Sequence, residues 1–188
     1  MRTRTGFGLR AIAGASIAVA VALVVATGGS ANAADTTTTF SVTSGGLSVS
    51  APASRLLGSA APTVPISAQL GTVTVTDARA LLAPTWDATV TSTAFTTGAA
   101  TSAETIPTSD VNYWSGSTTA VTPASGMTFV PGQPLVTDAV ALSTGPTAMS
   151  LTAGVGSNSA SWNPTLVVTS PAAAVTGLYT GTVTHSVA

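Results

Sequence analysis

Val73-Thr74-Val75-Thr76-Asp77-Ala78-Arg79 and, starting seven residues after Arg79, Trp86-Asp87-Ala88-Thr89-Val90-Thr91-Ser92-Thr93 decide the fold class. In an extended chain successive side chains point to opposite sides, so the valines of the first run share one side and its threonines the other. In the second run Trp86, Ala88 and Val90 fall together, opposite Asp87, Thr89 and Thr91. The same two-residue period returns in Tyr179–Val187, whose odd positions form the apolar row. Threonine, branched at Cβ, suits a pleated and half-buried surface, and it supplies 32 of the 155 residues from Ala34 onward. One dry face and one wet face is the pattern of an antiparallel sheet.

Working outward, further runs of this kind are Thr38–Thr43, Leu47–Ala51, Val111–Trp114, Met127–Val130, Asp138–Leu142 and Thr165–Thr169. Most of the 11 prolines fall between the runs, as Pro52, Pro62, Pro84, Pro107, Pro123, Pro131 and Pro171 do. Proline cannot donate to a sheet ladder and so punctuates strands. From Ala34 on, no window carries a 3.6-residue apolar period capped at both ends. The expectation is an all-β fold, an antiparallel β-sandwich of Ig-like, Greek-key type with about nine strands. A barrel is the competing closure of the same pattern.

The N-terminal stretch reads differently. Met1–Arg10 holds three of the five arginines, Arg2, Arg4 and Arg10, and no acid. An uncharged apolar run follows to Gly29, and then Ala31-Asn32-Ala33 places small residues where a signal peptidase reads them. Residues 1–33 are expected to be a signal peptide cut between Ala33 and Ala34, residues 34–39 a flexible Thr-rich lead-in, and residues 40–188 a single domain. A retained membrane anchor is the competing reading of the same run. The end of the chain, Thr184–Ala188, carries no sorting pattern, so any attachment to a surface is expected to be non-covalent.

Composition narrows the function. Beyond residue 33 two cations, Arg55 and Arg79, face six acids, a balance of −4, which argues against a nucleic-acid surface. No cysteine means no disulfide, thiolate metal site or cysteine nucleophile, and no lysine means no Walker loop or Schiff base. The acids Asp35, Asp77, Asp87, Glu104, Asp110 and Asp138 are spread singly, without a calcium-loop run or a histidine pair, so no metal and no cofactor is expected. His185 lies in the apolar row of its strand, where a packed, hydrogen-bonded imidazole is expected rather than a general base. Asp77 and Arg79, two apart, are expected to form an exposed ion pair. The aromatics that could meet a ligand are Trp86, Tyr113 and Trp114, with Trp86 also reading as a core residue. Tyr113 and Trp114 are adjacent, so they point to opposite faces.

The segment Val73–Arg79 followed by Trp86–Phe95 resembles the first half of the WxL-domain surface proteins of Gram-positive bacteria, in which a V-T-D-x-R strand leads into a tryptophan strand. Leu166-Val167-Val168-Thr169-Ser170-Pro171 and Thr176–Val187, with Tyr179, are similar to the second half. Both W-x-L triplets depart from the pattern. The first W-x-L triplet reads Trp86-Asp87-Ala88, without the leucine, and the second reads His185-Ser186-Val187, without either residue. The resemblance implies a secreted, non-catalytic β-rich domain that associates non-covalently with cell-wall peptidoglycan beside partner surface proteins. The second reading is a structural subunit of a surface layer or appendage, self-associating through strand edges or sheet faces.

Overall fold

The computed structural model describes residues 36–188. The expected signal peptide and its cleavage pair, Ala33 and Ala34, lie outside the described residues. Ser41–Ala188 form one compact unit. Thr36–Phe40, in the segment before it, carry no secondary structure.

The described chain is built from strands, fourteen rather than about nine, with no α-helix. In chain order they are β1 (Leu47–Ser50), β2 (Ile66–Gln69), β3 (Val73–Asp77), β4 (Trp86–Ser92), β5 (Phe95–Thr96), β6 (Thr105–Ile106), β7 (Val111–Trp114), β8 (Thr118–Thr122), β9 (Thr128–Pro131), β10 (Val140–Ala141), β11 (Thr147–Ala153), β12 (Asn158–Trp162), β13 (Thr165–Val168) and β14 (Val183–Val187). Short 3₁₀ turns occupy Ser102–Glu104, Thr108–Asp110 and Val136–Asp138. Three four-stranded sheets run in the orders β1-β3-β12-β8, β10-β7-β13-β2 and β14-β4-β11-β9, and β5 pairs with β6. Each of these pairings is antiparallel.

The sequence period sets which side of each strand is dry. Val73, Val75 and Asp77 of β3 are buried between Thr74 and Thr76, and Trp86, Ala88 and Val90 of β4 are buried opposite Asp87, Thr89 and Thr91. These rows meet Tyr113 from β7, Met149 and Leu151 from β11, Trp162 from β12 and Leu166 from β13 in one continuous core to which all three large sheets contribute. Register follows the same rows, with Val75 opposite Val49 and Ala160, and Ala88 opposite Met149 and Val187.

Several expected strands differ. Thr38–Thr43 forms none, and Asp138–Leu142 divides into a 3₁₀ turn and the two-residue β10. Tyr179–Thr182 stays off the ladder apart from one bridge, Thr96 to Thr180. Two interior strands were not among the sequence candidates. In β11 the register shifts between Thr147 and Met149, so Ala148 and Met149 are both buried and the alternation is broken. In β12 the inward row is Asn158, Ala160 and Trp162, and a polar residue at its head hides the apolar period. Pro131 ends β9, an outer strand, where its missing N–H leaves no ladder bond unmade.

Gly71 makes the turn into β3. Its φ is +102°, its N–H donates to Asn163 Oδ1 at 3.1 Å, and a Cβ there would stand 2.7 Å from Pro52 Cγ. Gly71→Ala should therefore cost about 1–3 kcal/mol. Gly46→Ala, where a Cβ meets nothing within 4 Å, should stay within about 0.5 kcal/mol of wild type. Paired urea titrations of the two variants check this, and equal midpoints would refute the backbone argument.

Candidate functional site: a hydroxyl face over a buried polar network

Asp77 closes β3 in its inward row, so the two-residue period delivers a carboxylate to the interior, where it is 1% exposed. The chain leaves the strand after Asp77 and turns back, bringing Arg79 onto it. Asp77 Oδ1 accepts from the Arg79 backbone N–H at 3.0 Å and from Nε at 2.9 Å, and Oδ2 accepts from Nη2 at 2.9 Å. Arg79 Nη2 also donates to the Thr85 carbonyl at 2.8 Å, which holds the loop before β4. From the other side Asn158 Nδ2 donates to Asp77 Oδ2 at 3.3 Å, and Asn158 Oδ1 accepts from Trp86 Nε1 at 3.0 Å. The Arg79 guanidinium holds the Asp77 carboxyl below its ordinary value against the opposing effect of burial, and Asp77 in turn raises Arg79. The ion pair expected to be exposed is thus half inside. The reason is that Asp77 belongs to the same strand row as Val73 and Val75.

A second network lies around the single histidine. Trp162 Nε1 donates to Tyr113 Oη at 3.1 Å, and Tyr113 Oη lies 3.2 Å from His185 Nε2. The phenol oxygen accepts from Trp162, and the direction of its contact with His185 Nε2 follows the imidazole tautomer. The His185 ring centroid is 5.8 Å from that of Tyr113 and 6.2 Å from that of Trp162. Burial lowers the His185 pKa to about 4 and pushes the Tyr113 phenol up. At neutral pH the imidazole is therefore uncharged.

The aromatic candidates separate cleanly. Trp86 is 2% exposed and Tyr113 is fully buried, so neither offers a ring to a ligand, and this corrects their nomination as contacts. Large apolar area at an inward strand position is drawn into the core before it is available for binding. Trp114, on the opposite side of β7 from Tyr113, is half-buried. Asp87 and Ser186 are exposed, Ala88 is buried, and Val187 and Tyr179 are half-buried, with the Tyr179 hydroxyl donating to the Val175 carbonyl at 2.8 Å. The triplets Trp86-Asp87-Ala88 and His185-Ser186-Val187 lie side by side on β4 and β14, with Val187 opposite Ala88 and His185 opposite Val90. Among the described residues no three acids or histidines gather as a metal site would need.

What the alternation leaves outside is a sheet face of small hydroxyls. Across β1, β3, β12 and β8, Ser48, Thr76, Ser159 and Thr122 stand in one row, and Ser50, Thr74, Ser161 and Ala120 in the next. Neighbouring rows of such a sheet repeat at about 4.8 Å between strands and about 7 Å along them. The Thr74 and Ser161 hydroxyls are 2.8 Å apart, and Thr119 Oγ1 donates to the Ser161 carbonyl at 3.1 Å, so the lattice is partly fixed by its own bonds. Neither row contains a charge. Sequence reasoning located the β3 threonines but missed Ser159, Ser161 and Asn158, because β12 alternates serine with a mixed polar and apolar row.

Comparison with protein-family models gives no match, and a search of the curated proteins gives none either.

Two tests follow from the networks. Asn158→Ala strands the Trp86 N–H, worth about 1–3 kcal/mol when unsatisfied, and removes one of the two hydrogen bonds to Asp77 Oδ2 while leaving that from Arg79. Combining it with Trp86→Phe should cost less than the sum of the two changes, and strict additivity in denaturant titrations would mean the two residues do not act together. His185 titrates near 6.5 when unfolded and at about 4 when folded, so between these values the unfolded chain binds more protons and stability falls as pH drops. The Asp77 contribution is lost only below its ordinary 3.8. Urea midpoints should decline from pH 6.5 to about 4 in wild type and flatten in His185→Gln, since the chain has one histidine.

Proposed function

We propose that this chain is an exported, non-catalytic cell-surface protein of WxL type, a β-sandwich freed from its signal peptide between Ala33 and Ala34. It adheres non-covalently to peptidoglycan or another envelope glycan. The observation that carries the reading is the uncharged hydroxyl face of the β1-β3-β12-β8 sheet, built from Ser48, Ser50, Thr74, Thr76, Ser159 and Ser161. A glycan strand offers hydroxyls at repeating intervals, and a rigid sheet offers donors and acceptors at repeating intervals without ordering long side chains. Each bond contributes only about 0.5–1.5 kcal/mol net, so adhesion depends on many bonds formed in register. The half-buried Trp114 adds a ring able to pack on sugar C–H faces.

The family part of the reading draws support from the joining of Asp77, Arg79 and Trp86 through Asn158, and from the adjacency of the two altered triplets. The second reading, a structural subunit acting by protein packing, is favoured by a groove bordered by Leu56 and Leu178, which are 77% and 76% exposed.

Purified exported protein should pellet saturably with protein-free Gram-positive sacculi, and raising the salt should leave this unchanged because the face is uncharged. Thr76→Val with Ser159→Val keeps strand-forming side chains and should weaken pelleting about ten-fold or more, with Trp114→Ala weakening it less. A wild type that stays in the supernatant would sink the glycan reading.

A further inference from the structure

The segment Asp35-Thr36-Thr37-Thr38-Thr39-Phe40-Ser41-Val42-Thr43 has the composition and alternation of the protein's own strands. From Thr36 on it joins no strand among the described residues, and Phe40 and Val42 are 91% and 77% exposed. Such a stretch has the makings of a strand without a sheet.

The place where the chain enters the folded unit is fixed by the Gly45 N–H, which donates to the Ala78 carbonyl at 2.7 Å, one residue past Asp77. β1 then runs along β3 from Leu47 opposite Asp77 to Ser50 opposite Thr74, so Ala51 and Pro52 emerge at the other end, with Pro52 beside Gly71. At that far end a cavity of about 170 Å³ opens between Leu57, Leu70, Val73, Phe95, Leu166 and Val183. It continues into a groove of about 950 Å³ between residues 53–62 and 174–182. Ile66 of β2 lies along this groove, and β2 is an outer strand with one edge unpaired.

We propose that the Thr36–Thr43 segment of one copy lies extended in the groove of a second copy, with Phe40 seated in the cavity against Leu57, Leu70 and Phe95. Size supports this, since about 150 Å³ is enough to hold a benzene ring and this cavity, open to solvent and lined by polar as well as apolar groups, measures about 170 Å³. Charge supports it too. Asp35, just before the segment, is the one charged side chain from Ala34 to Thr43, and the one charged side chain lining either space is Arg55, which makes no ion pair among the described residues. The backbone edge of β2 can accept an added strand, with the phenyl anchor selecting the register. Because the chain enters the unit near Asp77 and the groove opens at the Gly71 end, the contact joins two different surfaces of the protein, head to tail. This names the partner in the packing reading and does not depend on glycan adhesion.

The protein purified after export is examined by sedimentation velocity over a range of concentrations. Wild type should associate as concentration rises. Phe40→Ala should remain monomeric with an unchanged circular dichroism spectrum, as expected for a fully exposed side chain, and Arg55→Glu should weaken the association. A labelled peptide of residues 35–43 should bind saturably to the Phe40→Ala protein, and its own Phe40→Ala version at least about ten-fold more weakly. Wild type that is monomeric throughout while the Phe40→Ala protein still captures the peptide would place the segment on its own chain and overturn the second-copy contact. Equal binding of the two peptides would overturn the anchor. Retention of the Phe40→Ala protein on sacculi is read separately, so the two readings fail independently.

Discussion

The carboxylate of Asp77 is the constraint on which the rest of the structure depends. A strand that alternates perfectly delivers every second residue to the interior, and in β3 the third such residue is charged. A buried carboxylate is tolerated only when its lone pairs are filled and its charge is matched. Arg79 matches the charge through a bidentate contact, Asn158 fills the remaining position, and Asn158 then has an oxygen to offer Trp86. One chain of hydrogen bonds thereby ties β3, β12, the start of β4 and the loop through Thr85. Satisfying a polar group this way rewards one arrangement of strands and penalises slipped ones, since a shift of one residue would expose the acid and bury Thr76.

The same alternation explains the surface. Where valine, alanine and tryptophan are drawn inward, threonine and serine are left outside, and because the chain is poor in charge the outer sheet faces become hydroxyl lattices rather than ionic ones. Such faces repel neighbours weakly and bond readily to other hydroxyl-bearing polymers. The fully used aromatic residues point the same way. Trp86, Tyr113 and Trp162 fill the core, with the Trp86 and Trp162 indole N–H groups and the Tyr113 hydroxyl all hydrogen-bonded. What the outer faces offer is therefore repeated small groups. The groove at the far end is a different kind of surface, apolar and bordered by irregular backbone, and suits an extended segment rather than a sugar.

Strands were legible where the period was clean. Val111–Trp114 matched residue for residue, and the Trp86 strand ends one residue before its expected limit. They were illegible where tertiary packing overrode the pattern. The bulge in β11 buries two consecutive residues, and Asn158 earns its inward place in β12 only through Asp77 and Trp86, which lie 81 and 72 residues away in sequence. Thr38–Thr43 shows the reverse case, a strand sequence without a strand, because β-structure requires a partner edge that local propensity does not supply.

By itself the sequence determined the antiparallel β class, the dry and wet side of the main strands, the packed state of His185 and the low charge of the exterior strand positions. All of these follow from a two-residue period and from composition, which are local properties. The tertiary structure decided which aromatics are consumed by the core, that Asp77 is buried, that Ser159 and Ser161 complete a hydroxyl face begun by Thr74 and Thr76, and that a cavity opens at the end of β3 away from Asp77. Those outcomes depend on which strands become neighbours. That is settled by contacts between residues far apart in the chain, whose burial and hydrogen bonding are satisfied together or not at all.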